Sequence, residues 1–236
     1  MFGTLSGTYA SGVPVTNQSG GTIAHGSWGV YISGAGTVSN AGYILGTSRV
    51  GVQILNSGYI FNSVSGIIKG GSDGIYVKWE RFNTTPNTVI NAGSIYGAVQ
   101  GVRLMGDGQQ ILTNNSTGLI SGGSSGVGIY VNVGSPTIQN YGTVSGFSGI
   151  VGESGGSVYN HSGGTIAGIN VGIGGNISQI INGGSIFSTQ TSTNAIAISG
   201  YGGLASLTNP SYSPFYSAHT NYRAALGVGT PSPLLV

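Results

Sequence analysis

Three short phrases recur along this chain, and the spacing of two of them limits the possible fold more than any other feature. The unit is clearest in T-I-Q-N-Y-G-T-V-S-G-F-S-G-I, Thr137 to Ile150. It joins an apolar alternation ending in Asn, a Gly-x-[Ile/Val] step and a Gly-[Ile/Val]-x-[Ile/Val] step. The first phrase is marked by Asn17, Asn40, Asn62, Asn91, Asn115, Asn140, Asn160 and Asn182, with steps of 23, 22, 29, 24, 25, 20 and 22 residues. The third phrase runs through Gly29-Val30, Gly51-Val52, Gly74-Ile75, Gly101-Val102, Gly128-Ile129, Gly149-Ile150 and Gly172-Ile173, in steps of 22, 23, 27, 27, 21 and 23. Ala195-Ile196 continues that series without its glycine. Two phrases that hold one period of about 23 residues while the letters between them drift mark a structural repeat rather than low complexity.

Within each phrase apolar residues alternate with polar ones, as in Val30 and Ile32, Val52 and Ile54, Ile75 and Val77, Val102 and Leu104, and Ile129 and Val131. Period-two alternation over so few residues is the pattern of short strands with one buried face. Glycine at every few positions penalises a helix by about 1 kcal/mol each relative to Ala. Three short strands returning to the same phrase after about 23 residues describe one coil of an all-β, parallel β-helix. About eight coils fit between Asn17 and Ile198, and stacking them at the strand spacing of about 4.8 Å makes a rod on the order of 38 Å long. Glycine is expected at the corners for its access to positive φ. The recurring Asn has two structural readings, a left-handed corner residue or an inward amide ladder. Tyr31, Tyr76 and Tyr130 share one outward position of the third phrase and are expected to stack, with Tyr43 and Tyr59 adding to the stacking.

The repeat divides the chain into an incomplete opening coil at 1–16, the repeats at 17–198, and a Ser-, Pro- and Tyr-rich segment at 199–236 that caps the last coil, links or docks. One coil is stretched at 78–88. Its extra residues include Lys78, Trp79, Glu80, Arg81 and Phe82, which read either as a solvated excursion or as a partner-contact loop, because Trp, Arg and Phe are the side chains that make interface hot spots.

Only ten of 236 residues are charged and the net charge is +2, which gives no electrostatic footprint for nucleic acid. A surface of Ser, Thr, Asn, Gln and Gly is only weakly solubilised by charge, so self-association is expected. The absence of cysteine excludes disulfides, thiolate metal sites and a Cys nucleophile. No apolar run approaches a membrane span, and Met1 to Thr16 carries neither a basic nor a continuous apolar segment of the secretory kind.

Catalysis is not expected. The carboxylates Asp73, Glu80, Asp107 and Glu153 fall at different offsets from the third-phrase glycine, so they do not line one face in adjacent coils. At best Asp107 and Glu153 share a corner two coils apart, near the upper end of the separation used by inverting glycosidases. His25, His161 and His219 are far apart in register and supply no convergent metal-ligand set. No cofactor or metal is expected.

The N-A-G-x-I-x-G phrases at 40–46 and 91–97, with N-Y-G-T-V-S-G at 140–146, resemble the repeats of bacterial autotransporter passengers and related β-helical adhesins. The resemblance covers 17–198. It implies a right-handed β-helix, exported and displayed at the cell surface or released into a matrix. On that basis the expected function is a non-enzymatic structural or adhesive solenoid that associates with itself, end to end or laterally, in a surface or matrix fibre. The alternative is a β-helix that binds or cleaves carbohydrate in a groove beside the 78–87 loop.

Overall fold

The computed structural model describes residues 12, 14–78, 86–190, 196–200, 204 and 206–208, and of 4–6, 8–10, 215–217 and 226–228 the backbone alone. Among these residues it is an all-β parallel solenoid of about eight turns, with every strand pairing in parallel to the equivalent strand one coil away. A coil has three strands. In the fifth coil they are Gln110–Asn114, Leu119–Gly122 and Val127–Val131. First strands stack into one nine-stranded sheet; second and third strands form an 18-stranded sheet, joined where Thr143–Gly152 and Thr165–Gly175 run through the corner without a break.

The core is a set of aliphatic columns. Val38, Ile60, Val89, Leu112 and Ile138 come from first strands, Ile44, Ile68, Ile95 and Ile120 from second strands, and Val52, Ile75, Val102 and Ile129 from third strands; all are buried. No coil can bury these faces alone. Each side chain is covered by the other columns of one shared core and by its copies above and below, so stability depends on the interfaces between coils.

Beside the aliphatic columns runs one polar column. Asn17, Asn40, Asn62, Asn91, Asn114, Asn140, Asn160 and Asn182 are all buried, and each Nδ2 from Asn17 to Asn160 donates to the Oδ1 of the next at 2.8–2.9 Å. The inward ladder is therefore the observed form; the only non-glycine with positive φ among the described residues is Asn56. The rung of the fifth coil is Asn114. Asn115 sits one residue later, half-buried in the turn, where its carbonyl accepts from Gly118 N at 2.8 Å. Strand alternation decides between them, because Leu112 points in and only Asn114 has the same parity.

Each rung from Asn17 to Asn160 also reaches a glycine carbonyl at the following corner, and that corner alternates in length. Asn62, Asn114 and Asn160 donate to the glycine four residues on (Gly66, Gly118 and Gly164) at 3.1–3.2 Å. Asn40, Asn91 and Asn140 donate to the glycine two residues on (Gly42, Gly93 and Gly142) at 3.1 Å. Long corners fold over the short corner before them. Ser65 Oγ donates to Ala41 O at 2.8 Å, Thr117 Oγ1 to Ala92 O at 2.7 Å, and the His161 ring stacks on Tyr141 at 4.0 Å. The structural repeat is thus a pair of coils.

The third-phrase glycines are needed for space rather than for positive φ. None of Gly29, Gly51, Gly74, Gly101, Gly128, Gly149 and Gly172 has positive φ. An added Cβ at any of them would lie 2.5–2.7 Å from a carbonyl oxygen of the next coil and 2.6–2.9 Å from the Cγ of a second-strand Ile or Val. In the eighth coil the matching residue is Ala197, since Val171 pairs with Ile196 and Ile173 with Ile198. Ala195 lies outside the described residues.

The second- and third-strand ladders extend past the start of 17–198, and all three extend past its end. Thr4–Ser6 and Thr8–Ala10 pair with the second and third strands of the first coil. Ser206–Thr208, Phe215–Ser217 and Leu226–Val228 pair with the three strands of the eighth. The segment expected to leave the repeat after 198 thus contributes a further set of strands. Ten third strands, at the strand spacing, give a length of about 43 Å.

Candidate functional site

The outward side of the third strands is the chemically richest face. Pairing places Tyr31, Gln53, Tyr76, Arg103 and Tyr130 in one column. The tyrosines do not stack on one another, as Gln53 and Arg103 separate them. The Arg103 guanidinium instead sits between two rings, 5.2 Å from the centroid of Tyr76 and 5.9 Å from that of Tyr130. Such cation–π contacts contribute about 0.5–1 kcal/mol each at exposed positions. At the other end Trp28 packs at 5.4 Å from Tyr31, donates Nε1 to Gln53 Oε1 at 2.7 Å, and carries the Arg49 guanidinium at 5.2 Å. Tyr43 and Tyr59 belong to second and first strands and face elsewhere.

The column ends in a carboxylate. Tyr130 Oη and Asn132 Nδ2 both donate to Glu153, one to each carboxylate oxygen. Partial burial, then the hydrogen bond to Glu153, raise the Tyr130 hydroxyl above its ordinary value, so it stays a donor. Past Glu153 the face falls away. The outward column continues as Val151, Gly174 and Ser199, and the inward column of Leu104 and Val131 becomes Gly152 and Gly175. Ile177 fills the interior from the next corner, where a Cβ on Gly152 would meet its Cδ1 at 2.4 Å. Loss of side chains from neighbouring positions in consecutive coils leaves an open groove of about 500 Å³. Ser148, Glu153, Asn170, Asn176 and Ser199 bring polar groups to it, over a floor of Gly152, Gly174 and Gly175.

Asp73 lies at the other edge of this face, at the start of a third strand. The residue is 3% exposed, and one of its carboxyl oxygens has no hydrogen-bond partner. Burial raises it above the ordinary carboxylate range, against the attraction of Arg103 and a hydrogen bond from Ser72. A carboxyl raised on folding binds its proton more tightly in the folded chain. Its contribution to stability is complete below the unfolded value and declines as pH rises through the folded one. Asp73→Asn is therefore expected to raise stability at about pH 7 by about 1 kcal/mol, on the scale of one unsatisfied buried polar atom, and to leave it unchanged at about pH 3. Urea titrations at the two pH values check this; an equal shift at both would assign the effect to packing.

The remaining expected residues are dispersed. Lys78 closes a third strand in register with Leu55 and Met105. Trp79, Glu80, Arg81 and Phe82 lie outside the described residues. Asp107 is exposed in the corner after the fourth coil's third strand, two coils and about 10 Å from Glu153 along the rod. Among the described residues no three of His, Asp and Glu gather into a metal-binding group, and no helix is long and apolar enough to cross a membrane. No model of a protein family matches this chain, and comparison with curated proteins and with solved structures finds no match either.

Proposed function

We propose that the protein is a non-enzymatic rod of the bacterial cell exterior, of the autotransporter-passenger kind, that presents its side faces for adhesion and associates with further copies of itself. The observation that carries this reading is the unbroken amide ladder of seven side-chain bonds through eight coils. A chain that dedicates a buried hydrogen-bonded residue to every coil specifies register and stiffness along its whole length, which is what a spacer or fibre subunit requires. The carboxylates support the non-enzymatic part. Among the described carboxylates, both oxygens of Glu153 are engaged by Tyr130 and Asn132, Asp73 is buried, and Asp107 is exposed in a corner two coils away from Glu153. Self-association is supported by large apolar side chains left exposed on the second strands, Ile67 at 44%, Leu119 at 40% and Tyr96 at 37%.

Negative-stain electron microscopy of the purified protein tests the reading. Rods a few nanometres long that join into filaments or side-by-side bundles as concentration rises are expected. Single rods at every concentration would remove the self-association, and turnover of any polysaccharide would overturn the non-enzymatic assignment.

A further inference from the structure

We propose that the groove beyond Glu153 is a binding site for an uncharged glycan chain. The inference rests on the adhesive reading only in supposing that the rod meets extracellular polymers; the chemistry of the groove argues the rest. Its volume of about 500 Å³ lies within the range of small-molecule sites, about 300–1,000 Å³. The lining holds one carboxylate, two side-chain amides and two serine hydroxyls, and no Lys, Arg or His. An anionic ligand would face Glu153 with no compensating cation, which excludes phosphate, sulfated and uronic-acid ligands by like-charge repulsion. A cationic ligand would gain little, because a single ion pair with a carboxylate in an open groove contributes only about 0–1 kcal/mol and the other four polar groups are neutral.

What remains is a neutral molecule rich in hydroxyls. Amides offer a donor and an acceptor from one group, as vicinal hydroxyls require, and a carboxylate accepts a further hydrogen bond through its unused lone pairs. The glycine floor gives a flat strip on which the C–H face of a sugar ring can lie. The groove is open to the surface, so a chain of more than one sugar unit can run through it.

The same column supplies a blocking variant. Gly174 has no positive φ, and the one tight neighbour of an added Cβ is Val171 Cγ1, at 3.2 Å, with Val171 Cβ and Ser199 O at ordinary contact distances of 3.9 and 4.0 Å, so a side chain is accommodated by a small shift of Val171. Gly174→Tyr continues the outward column of Tyr76 and Tyr130 across the groove.

Calorimetric titration of the whole chain with cellotetraose, tetra-N-acetylchitotetraose, tetragalacturonate and a Lys-rich peptide tests the proposal. One or both neutral tetrasaccharides should bind with micromolar to millimolar affinity, Glu153→Gln should weaken that binding about tenfold, and Gly174→Tyr should abolish it. Asp107→Asn, outside the groove, should leave it unchanged. Absence of binding to both neutral sugars, preference for tetragalacturonate or for a Lys-rich peptide, or full binding by Gly174→Tyr would each overturn the site. Micrographs of the same samples separate the outcomes: rods without sugar binding sink the groove alone, whereas a failure to form rods sinks the broader reading.

Discussion

Gly101→Val is expected to destabilise the solenoid by more than about 4 kcal/mol, enough to prevent a cooperative fold in the middle coils. The new Cβ would fall 2.6 Å from Gly128 O, 2.8 Å from Ile120 Cγ2 and 2.9 Å from Ser121 O. Two of these three atoms are backbone of the next coil, held by strand pairing on both sides. Relief therefore requires the fourth and fifth coils to separate, which breaks the pairing of Gln100–Met105 with Val127–Val131. Gly26→Ala supplies the opposite sign. Gly26 has no positive φ and no atom lies within 4 Å of the place its new methyl group would take, so the substitution should only restrict the unfolded chain and add about 0.4–1 kcal/mol. Urea denaturation followed by circular dichroism measures both. A Gly101→Val midpoint close to that of the natural sequence would refute the steric role assigned to the whole glycine column.

The solenoid is legible in the sequence because its period, its strand alternation and its glycine spacing all derive from one geometric requirement, stacking of equivalent residues. The details that differ are those where the letters are degenerate. At Asn114-Asn115 either residue satisfies a rule that asks only for Asn. The spacing to the next glycine separates them, since N-x-x-x-G at 62–66 and 160–164 recurs at 114–118 and alternates with N-x-G at 40–42, 91–93 and 140–142. The continuation after 198 carries a similar signal, because S-L-T-N at 206–209 repeats the form of S-V-Y-N at 157–160, and the prolines around it mask the match. Glycine's role in the third phrase, where space between coils matters and positive φ does not, is hidden for another reason. A close approach between coils depends on neighbours about 23 residues away, and the local sequence does not display them. The groove is not legible at all. It is made by side chains that are missing, and recognising it requires knowing that Tyr130, Val151 and Gly174 fall in one column although the coil length changes between them.

Asn114→Leu is expected to cost about 2–4 kcal/mol, although leucine is close in size and the surroundings are apolar. The amide donates to Asn140 Oδ1 at 2.9 Å and to the carbonyls of Gly118 and Thr143 at 3.1 Å, and its oxygen accepts from Asn91 Nδ2 at 2.8 Å. Leucine replaces none of these, and its burial leaves the Asn140 oxygen without its ladder donor and Asn91 Nδ2 without its ladder acceptor, while Gly118 O keeps only the Thr143 N–H. The ladder makes a further demand. Once Asn114 is gone, the Asn140 oxygen has already lost its partner, so adding Asn140→Leu removes a group that is no longer paired. The double substitution should therefore cost less than the sum of the two single ones, by about 1 kcal/mol, whereas Asn40→Leu with Asn160→Leu, which share no bond, should add. Position matters as well as pairing. Asn114 bonds to rungs on both sides, while Asn17 donates to Asn40 at the start of the described ladder. In a stack whose stability is a sum over interfaces, the interior substitution weakens two of them, so hydrogen exchange should rise in the coils holding Asn91 and Asn140 and remain slow near Asn17. Uniform exchange along the whole rod, or strict additivity of the neighbouring pair, would mean that the asparagines act singly and that the ladder bonds contribute no coupling.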